Sequence, residues 1–190
     1  MEVSVKSVVS VYLMIDWQNF IHDVCCQYLL DHLVQMGGPG RIVEVDESKF
    51  MHQKYHCGRY CEDHWVLGIV KCDTNMCTMV AVEDCDAATL FPIVAQHVLG
   101  TCIITDGWQA YNQLPQPHDV VNYQLHFIDP NDPTLYANTV EGSWAYVKAK
   151  FCAMHGTNDV LFNSHLQEFL WCRVHPDHVF GNILYWIRHY

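Results

Sequence analysis

Alternating apolar and polar positions predict a set of short strands. The segment Ile42–Phe50 alternates in the manner of a strand with one buried face. The other predicted strands are Trp65–Val70, Thr78–Val82, Cys102–Thr105 and Val120–Phe127. The turn-forming sequence Cys72–Asn75 joins the second and third of these strands, which indicates a hairpin.

Apolar residues at three- and four-residue steps predict helices around and between the strands. The glycines and the proline of Gly37–Gly40 break the chain after the first helix and form a linker or boundary. The predicted helices are residues 11–35, 87–99, 138–151, 161–171 and 179–190. Strands that alternate with helices in this way predict an α/β fold.

The composition is that of a folded protein with one main domain. The chain has 190 residues, of which 51% are hydrophobic and 16% charged, and this balance excludes a disordered chain. No apolar run is long enough to span a membrane, and the first residues lack the basic and apolar regions of a signal peptide. We therefore expect a nuclear or cytoplasmic protein that is not secreted, with its ten cysteines reduced.

Three acidic residues have the local settings of a metal site at the edge of a sheet. Asp46 lies within the first strand, Asp106 directly follows the fourth strand, and Glu141 lies near the start of a helix. Each has an ordinary structural alternative, respectively a solvent-facing strand acid, a helix N-cap and a first-turn acid. Strand alternation directs Glu47 to the face opposite Asp46, so we expect that Glu47 is not a ligand.

The segments around the three acids carry a family resemblance. They are Gly37–Phe50, Ile104–Tyr111 and Asn138–Trp144. In order and spacing they resemble the three catalytic motifs of Merlin-type DDE transposases and their bacterial insertion-sequence relatives, the ISXO-like transposase domain. Asp16–Phe20 is similar to the end of the helical DNA-binding segment that precedes the catalytic domain in that family. The resemblance therefore extends over nearly the whole chain.

The resemblance implies an RNase H-like core with helical N- and C-terminal extensions, and the order of the predicted strands and helices agrees with that topology. We expect a helical remnant of a DNA-binding region at residues 1–36 and the catalytic domain at residues 40–155. Residues 156–190 are expected to form a C-terminal helical extension.

The resemblance also implies metal-dependent hydrolysis and transesterification of DNA. Two Mg²⁺ or Mn²⁺ ions, about 3.5–4 Å apart, need several carboxylate oxygens, because hard cations prefer hard anionic ligands. Asp46 would bridge both ions, while Asp106 and Glu141 would each complete the coordination of one. The implied partner is DNA at transposon ends, and a homo-oligomer is expected.

The charge of the chain argues against tight DNA binding. Ten Lys and Arg residues stand against 21 acids, which gives a net charge of −11. The candidate phosphate contacts are Lys54, Arg59, Lys148 and Lys150, and a solvated helix face is the alternative for the last two. A catalytically inactive, domesticated transposon-derived module that binds DNA or protein is therefore the alternative function. A plain RNase H-like nuclease is a third interpretation.

Two further groups of side chains have competing interpretations. A dense cluster consists of His52, His56, Cys57, Cys61 and His64. Zn²⁺ binds such side chains, but their spacing matches no standard pair of ligand pairs. Trp108 and Trp144 are candidates either for core packing or for stacking on DNA bases.

Overall fold

A computed structural model describes residues 10–50, 63–100, 102–106, 108–113, 118–120, 138–155 and 157–190. The described helices are α1 (Val11–Asp31), α2 (Ala87–His97), α3 (Asn138–Ala153), α4 (Asp159–Val174) and α5 (Val179–Ile187), with a 3₁₀ helix at Gln109–Gln113. The described strands are β1 (Met36–Gly37), β2 (Ile42–Phe50), β3 (His64–Lys71), β4 (Cys77–Val82), β5 (Val98–Leu99), β6 (Cys102–Thr105) and β7 (His118–Val120). Within these residues, no helix combines the length and the apolar character that crossing a membrane requires.

Five strands form a mixed sheet in the order β4-β3-β2-β6-β7. β2, β3 and β4 pair antiparallel, whereas β6 pairs parallel to β2, and β7 parallel to β6. An antiparallel meander extended by parallel strands on the side of its first strand is the RNase H-like arrangement. The predicted α/β fold with helical extensions is therefore confirmed.

The predicted elements agree with the described ones except near their ends. β2 has the predicted bounds, but α2 ends at His97, and the next two residues form β5 instead of a last helical turn. β5 pairs in parallel with Met36–Gly37, so the glycine-rich segment begins with a strand contact before it turns. Gly37, Gly38 and Gly40 all have positive φ, which side chains disfavour, and the predicted chain break follows from this. Of the predicted strand Val120–Phe127, only Val120 lies within the described residues.

Two apolar layers cover the sheet, one on each face. On one face α3 and α4 pack over Phe50, Val66 and Val70. On the other face α2 packs over Val43, Val45 and their neighbours. Because side chains alternate along β2 and β3, the same strands supply both cores. Even-numbered positions of β2 and β3 thus face α3, and this decides which acids α3 can meet.

A third apolar cluster joins the terminal helices. Cys25 of α1, Trp171 of α4 and Ile183 of α5 are buried together. α4 contributes to this cluster and also, through Phe162, Leu166 and Leu170, to the core over the sheet. α4 therefore connects the sheet with α1. The proposed domain boundaries at residues 36–40 and 155–156 stay predictions.

Candidate active site

The candidate site lies where β2 extends past the end of β6. Their parallel pairing is last seen between Glu44 and Ile104, and β6 ends at Thr105, while β2 continues to Phe50. Asp106, the residue after β6, is therefore placed beside the next part of β2, which carries Asp46. The sheet edge brings together two acids that are 60 positions apart in the chain.

Three carboxylates converge at this edge. One oxygen from each of Asp46, Glu47 and Asp106 lies within 4.8 Å of the others. All three side chains are half-buried. The structure therefore brings together two of the three predicted acids and adds a third carboxylate that the sequence analysis had excluded.

Glu47 corrects the expectation drawn from strand alternation. Its backbone position does face the α2 side of the sheet, as the burial of Val43 and Val45 on that face shows. However, β6 no longer flanks β2 at this point, so the side chain reaches the same rim as Asp106. Alternation gives the direction of the Cα–Cβ bond, but at a sheet edge a long side chain can still reach the other face. In the sequence, the only available signal was that Glu47 directly follows Asp46 within the strand.

Trp144 of α3 orients Asp46. Its indole Nε1 donates a hydrogen bond to Asp46 Oδ2 at 2.8 Å. The ring lies across Gly68, which is the β3 residue paired with Asp46. A Cβ at position 68 would lie 2.5 Å from Trp144 Cζ2, well inside van der Waals contact. Because glycine has no side chain, the buried indole can lie against Gly68 and reach Asp46.

Glu44 fixes the start of α3. Its side chain is fully buried, and Oε2 accepts a hydrogen bond from the Val140 backbone N–H at 2.7 Å. Oε1 accepts one from the Cys72 thiol at 3.2 Å. A carboxylate at the first turn of a helix binds free N–H groups and interacts favourably with the helix dipole. Strand alternation places Glu44 on the same face as Asp46, but the sequence analysis assigned Glu44 no function.

Glu141 is the exposed neighbour of this anchored turn. It lies in the first turn of α3, one helical turn before Trp144, and stands outside the group of three converging carboxylates. Its negative charge nevertheless contributes to raising the pKa of Asp46. α3 therefore brings Glu141 to the same side of the sheet as Asp46.

Burial and the charges of neighbouring acids raise the pKa of two of these side chains, Asp46 and Glu47. Burial is the main cause that raises the pKa of Asp46 to about 6; the Trp144 hydrogen bond opposes it, and the charges of Asp106 and Glu141 add to it. Burial, followed by the charges of Asp106 and Asp46, raises the pKa of Glu47 to about 8. A nearby cation would reverse these shifts, because it favours the ionised form.

Asp106 makes the turn contact that was its structural alternative and also lies with the other carboxylates. One of its oxygens, Oδ1, accepts a hydrogen bond from the Trp108 backbone N–H at 2.9 Å and so shapes the turn into the 3₁₀ helix. Trp108 itself is exposed, whereas Trp144 is buried. Of the two candidates for base stacking, Trp108 alone presents its ring to solvent.

The donor set fits a hard divalent cation. It consists of carboxylate oxygens, which Mg²⁺ and Mn²⁺ prefer. Glu47 Oε1 is buried and has no hydrogen-bond partner among the described residues, so an acceptor is available at the rim. The Trp144 and Trp108 hydrogen bonds each engage one oxygen, of Asp46 and of Asp106 respectively, and the Glu47 backbone N–H also donates to the Asp46 carboxylate.

The four basic candidates have different positions. Lys54 and Arg59 lie outside the described residues, as does most of the His/Cys cluster. Lys148 Nζ lies 5.4 Å from the centroid of the Phe50 ring. Lys150 Nζ donates to Glu168 Oε2 at 2.6 Å and to the His165 carbonyl at 3.2 Å. His64, from the His/Cys cluster, contacts Asp159 and stacks on Phe162.

An RNase H-like sheet with one acid within β2 and another directly after β6 defines the class of protein, and comparison with known families gives the particular one. The family model of the ISXO2-like transposase domain matches residues 40–173, which is more than half of the chain. This chain belongs to that transposase family. No curated protein matches the sequence.

Two solved structures are similar to the chain. One is the simian T-cell lymphotropic virus intasome in complex with PP2A regulatory subunit B56 gamma, with a TM-score of 0.48 and 17% identity over 77% of this chain and 52% of that chain. The other is the HTLV-2 integrase catalytic core domain with magnesium in its dimeric form, with a TM-score of 0.45 and 12% identity over 74% of this chain and 87% of that chain. The chain matches about half the length of the first.

Proposed function

We propose that this protein is a Merlin-type transposase that cuts and joins DNA with two divalent metal ions, Mg²⁺ or Mn²⁺. Asp46, Asp106 and Glu141 are its catalytic carboxylates, and Glu47 is a further candidate ligand. The observation that supports this function most directly is the convergence of Asp46, Glu47 and Asp106 at one sheet edge. Membership of the ISXO2-like transposase family agrees with it.

The contacts of α3 give each residue a part in this function. Trp144 holds one oxygen of Asp46, while Glu44 fixes the turn that carries Glu141. Metal ions at these carboxylates would activate a nucleophilic oxygen and stabilise the leaving oxygen of an in-line displacement at phosphorus. The protein residues act by positioning, because phosphoryl transfer of this type needs no covalent protein intermediate.

The reaction has two steps with the same bond changes. Water attacks a DNA phosphorus, the P–O3′ bond breaks, and the departing oxygen gains a proton to become a 3′-hydroxyl. That hydroxyl then attacks a phosphorus in a second DNA strand, and an equivalent P–O3′ bond breaks. The partner is duplex DNA at transposon ends, and two copies of the chain are expected to act together, one at each end. The nucleus or cytoplasm stays the proposed location.

Plasmid nicking tests this function without requiring a known transposon end. We expect Mn²⁺-dependent conversion of supercoiled plasmid to the nicked form, abolished by Asp46→Asn and by Glu141→Gln. Asp177→Asn, a matched change at an exposed acid before α5, should keep the activity. Nicking that persists in Asp46→Asn would contradict the site assignment. Addition of chelator should stop nicking by the unchanged protein.

The charge of the protein supports the alternative function, an inactive, domesticated module that binds DNA or protein. The net charge of −11 repels DNA, and Lys150 is already paired with Glu168. Catalysis needs phosphate contacts as well as carboxylates. Metal binding at Asp46 without nicking in either Mg²⁺ or Mn²⁺ would support the module and exclude the active enzyme.

A further inference from the structure

A second cluster of metal-binding side chains lies between α1 and α4, apart from the carboxylates at the sheet edge. It consists of His22 on α1 and of His165 and Glu168 on α4, and one ligand atom of each lies within 4.8 Å of the others. His22 Nε2 is 3.5 Å from Glu168 Oε2, and His165 Nδ1 is 3.7 Å from the same oxygen. The two imidazole rings meet edge to face, with their centroids 4.7 Å apart.

Both histidines are buried without adequate partners. Their residues are 3% and 8% exposed, respectively. Within the described parts of the chain, neither ring nitrogen of His22 has a hydrogen-bond partner, and neither has Nδ1 of His165. The distance of 3.5 Å from His22 to Glu168 is too long for a well-formed hydrogen bond, so it represents an electrostatic contact. Buried polar atoms left unpaired cost free energy and point to a missing ion or water.

The separations suit a tetrahedral ion. With Zn–N and Zn–O bonds of about 2.0–2.2 Å, neighbouring tetrahedral ligand atoms lie about 3.4 Å apart. The two distances to Glu168 Oε2, 3.5 and 3.7 Å, are close to that value. Two imidazoles and one carboxylate are a known zinc ligand set that leaves a fourth position for water. The nitrogen donors distinguish this cluster from the all-oxygen cluster at the sheet edge, which suits Mg²⁺.

Lys150 provides the charge balance when no ion is present. Its Nζ lies 2.6 Å from Glu168 Oε2, the oxygen that both histidines face. An ion at the three side chains would compete with this ammonium for Oε2. Lys150 also donates to the His165 backbone carbonyl, so the ammonium keeps a partner if it leaves the carboxylate.

We propose that His22, His165 and Glu168 form a Zn²⁺ site, with water at the fourth position, that fastens α1 to α4. Since α4 also packs over the catalytic sheet, the ion would hold the N-terminal helix to the catalytic core. The role of this site is independent of whether the protein cuts DNA.

Competition with a chromophoric chelator measures how much Zn²⁺ the protein binds and how tightly. Excess Mg²⁺ is added to saturate the sheet-edge carboxylates. We expect the unchanged protein to bind one more equivalent of Zn²⁺ than His22→Gln or Glu168→Gln. Loss of one ligand should weaken binding by more than about 100-fold, because even changes behind the ligands cost about 10–100-fold. The matched control His189→Gln, at an exposed C-terminal histidine, should bind like the unchanged protein. Equal binding by all four proteins would overturn the proposal.

The thermal midpoint provides a second test that does not depend on one variant folding well. In chelator, His22→Phe should melt at or above the unchanged protein, because it removes two unpaired buried nitrogens. In Zn²⁺ the order should reverse, since only the unchanged protein gains binding free energy. Co²⁺ in place of Zn²⁺ should give tetrahedral visible absorption in the unchanged protein and none in His22→Phe. The same order of midpoints with and without Zn²⁺ would contradict the site.

Discussion

Trp144 donates its indole N–H to Asp46 across 98 residues of sequence. The contact joins α3 to the central strand at the point where the candidate active site begins. It depends on Gly68, because any side chain there would occupy the space of the indole ring. One hydrogen bond therefore links the position of a catalytic candidate to the packing of the core.

Gly68→Ala should destabilise the protein and weaken its metal site together. The new Cβ would lie 2.5 Å from Trp144, and overpacking of this kind costs about 1–3 kcal/mol. At roughly 2–4 °C per kcal/mol, a thermal scan resolves the loss. Gly181→Ala is the matched control, because its nearest neighbour is 3.9 Å away. An unchanged midpoint for Gly68→Ala would show that the indole does not occupy this position.

Trp144→Phe should keep most of the apolar packing and remove the hydrogen bond to Asp46. Since that bond lowers the Asp46 pKa, its loss should raise the pKa further above about 6. Higher pH would then be required for Mn²⁺ to stabilise the protein, and melting curves across a pH series measure this. Trp17→Phe, at an exposed tryptophan, should leave the pH dependence unchanged.

Glu47 should make the metal-free protein less stable as pH rises. Its pKa is about 8 in the folded protein against an ordinary value of 4.5, so the folded state holds the proton more tightly between these values. Stability therefore falls with rising pH through this window. The Gln side chain of Glu47→Gln cannot ionise. The thermal midpoint of this variant, relative to that of the unchanged protein, should therefore rise by several degrees between about pH 5 and about pH 9.

When metal is present, ionisation of Glu47 should stabilise the protein instead of destabilising it. Metal binds the ionised carboxylate, so Mn²⁺ should stabilise the unchanged protein increasingly over that pH range and stabilise Glu47→Gln less. Melting curves with Mn²⁺ or chelator at each pH provide the comparison. A constant difference between the two proteins would mean that Glu47 is not part of the metal site.

Ala145→Arg should strengthen binding to duplex DNA. Ala145 is exposed on α3, one turn after Glu141. One added phosphate contact should steepen the dependence of log K on log salt concentration by about 0.9. Fluorescence anisotropy over a salt series measures the slope. Val160→Arg adds the same charge at an exposed position of α4 and should change the slope less if α3 faces the DNA.

Local patterns predicted much of this protein. Alternation gave the bounds of β2, and three short motifs identified the transposase family and the acids Asp46 and Asp106. These features are local, because a strand pattern and a residue following a strand are encoded by neighbours in the chain. Periodicity was less successful at the end of α2, where pairing of Val98–Leu99 with β1 replaced the last helical turn. That pairing partner lies about 60 residues away in the sequence.

Only the tertiary structure decided which side chains meet. The end of β6 left the rim of β2 open, and this brought Glu47 to Asp46 and Asp106 despite strand alternation. The contact between His22 and Glu168 likewise depends on how α1 crosses α4. The sequence by itself determined the elements and the residue types, since these follow from local backbone preference. Distances between the side chains required the packing of elements that are far apart along the chain.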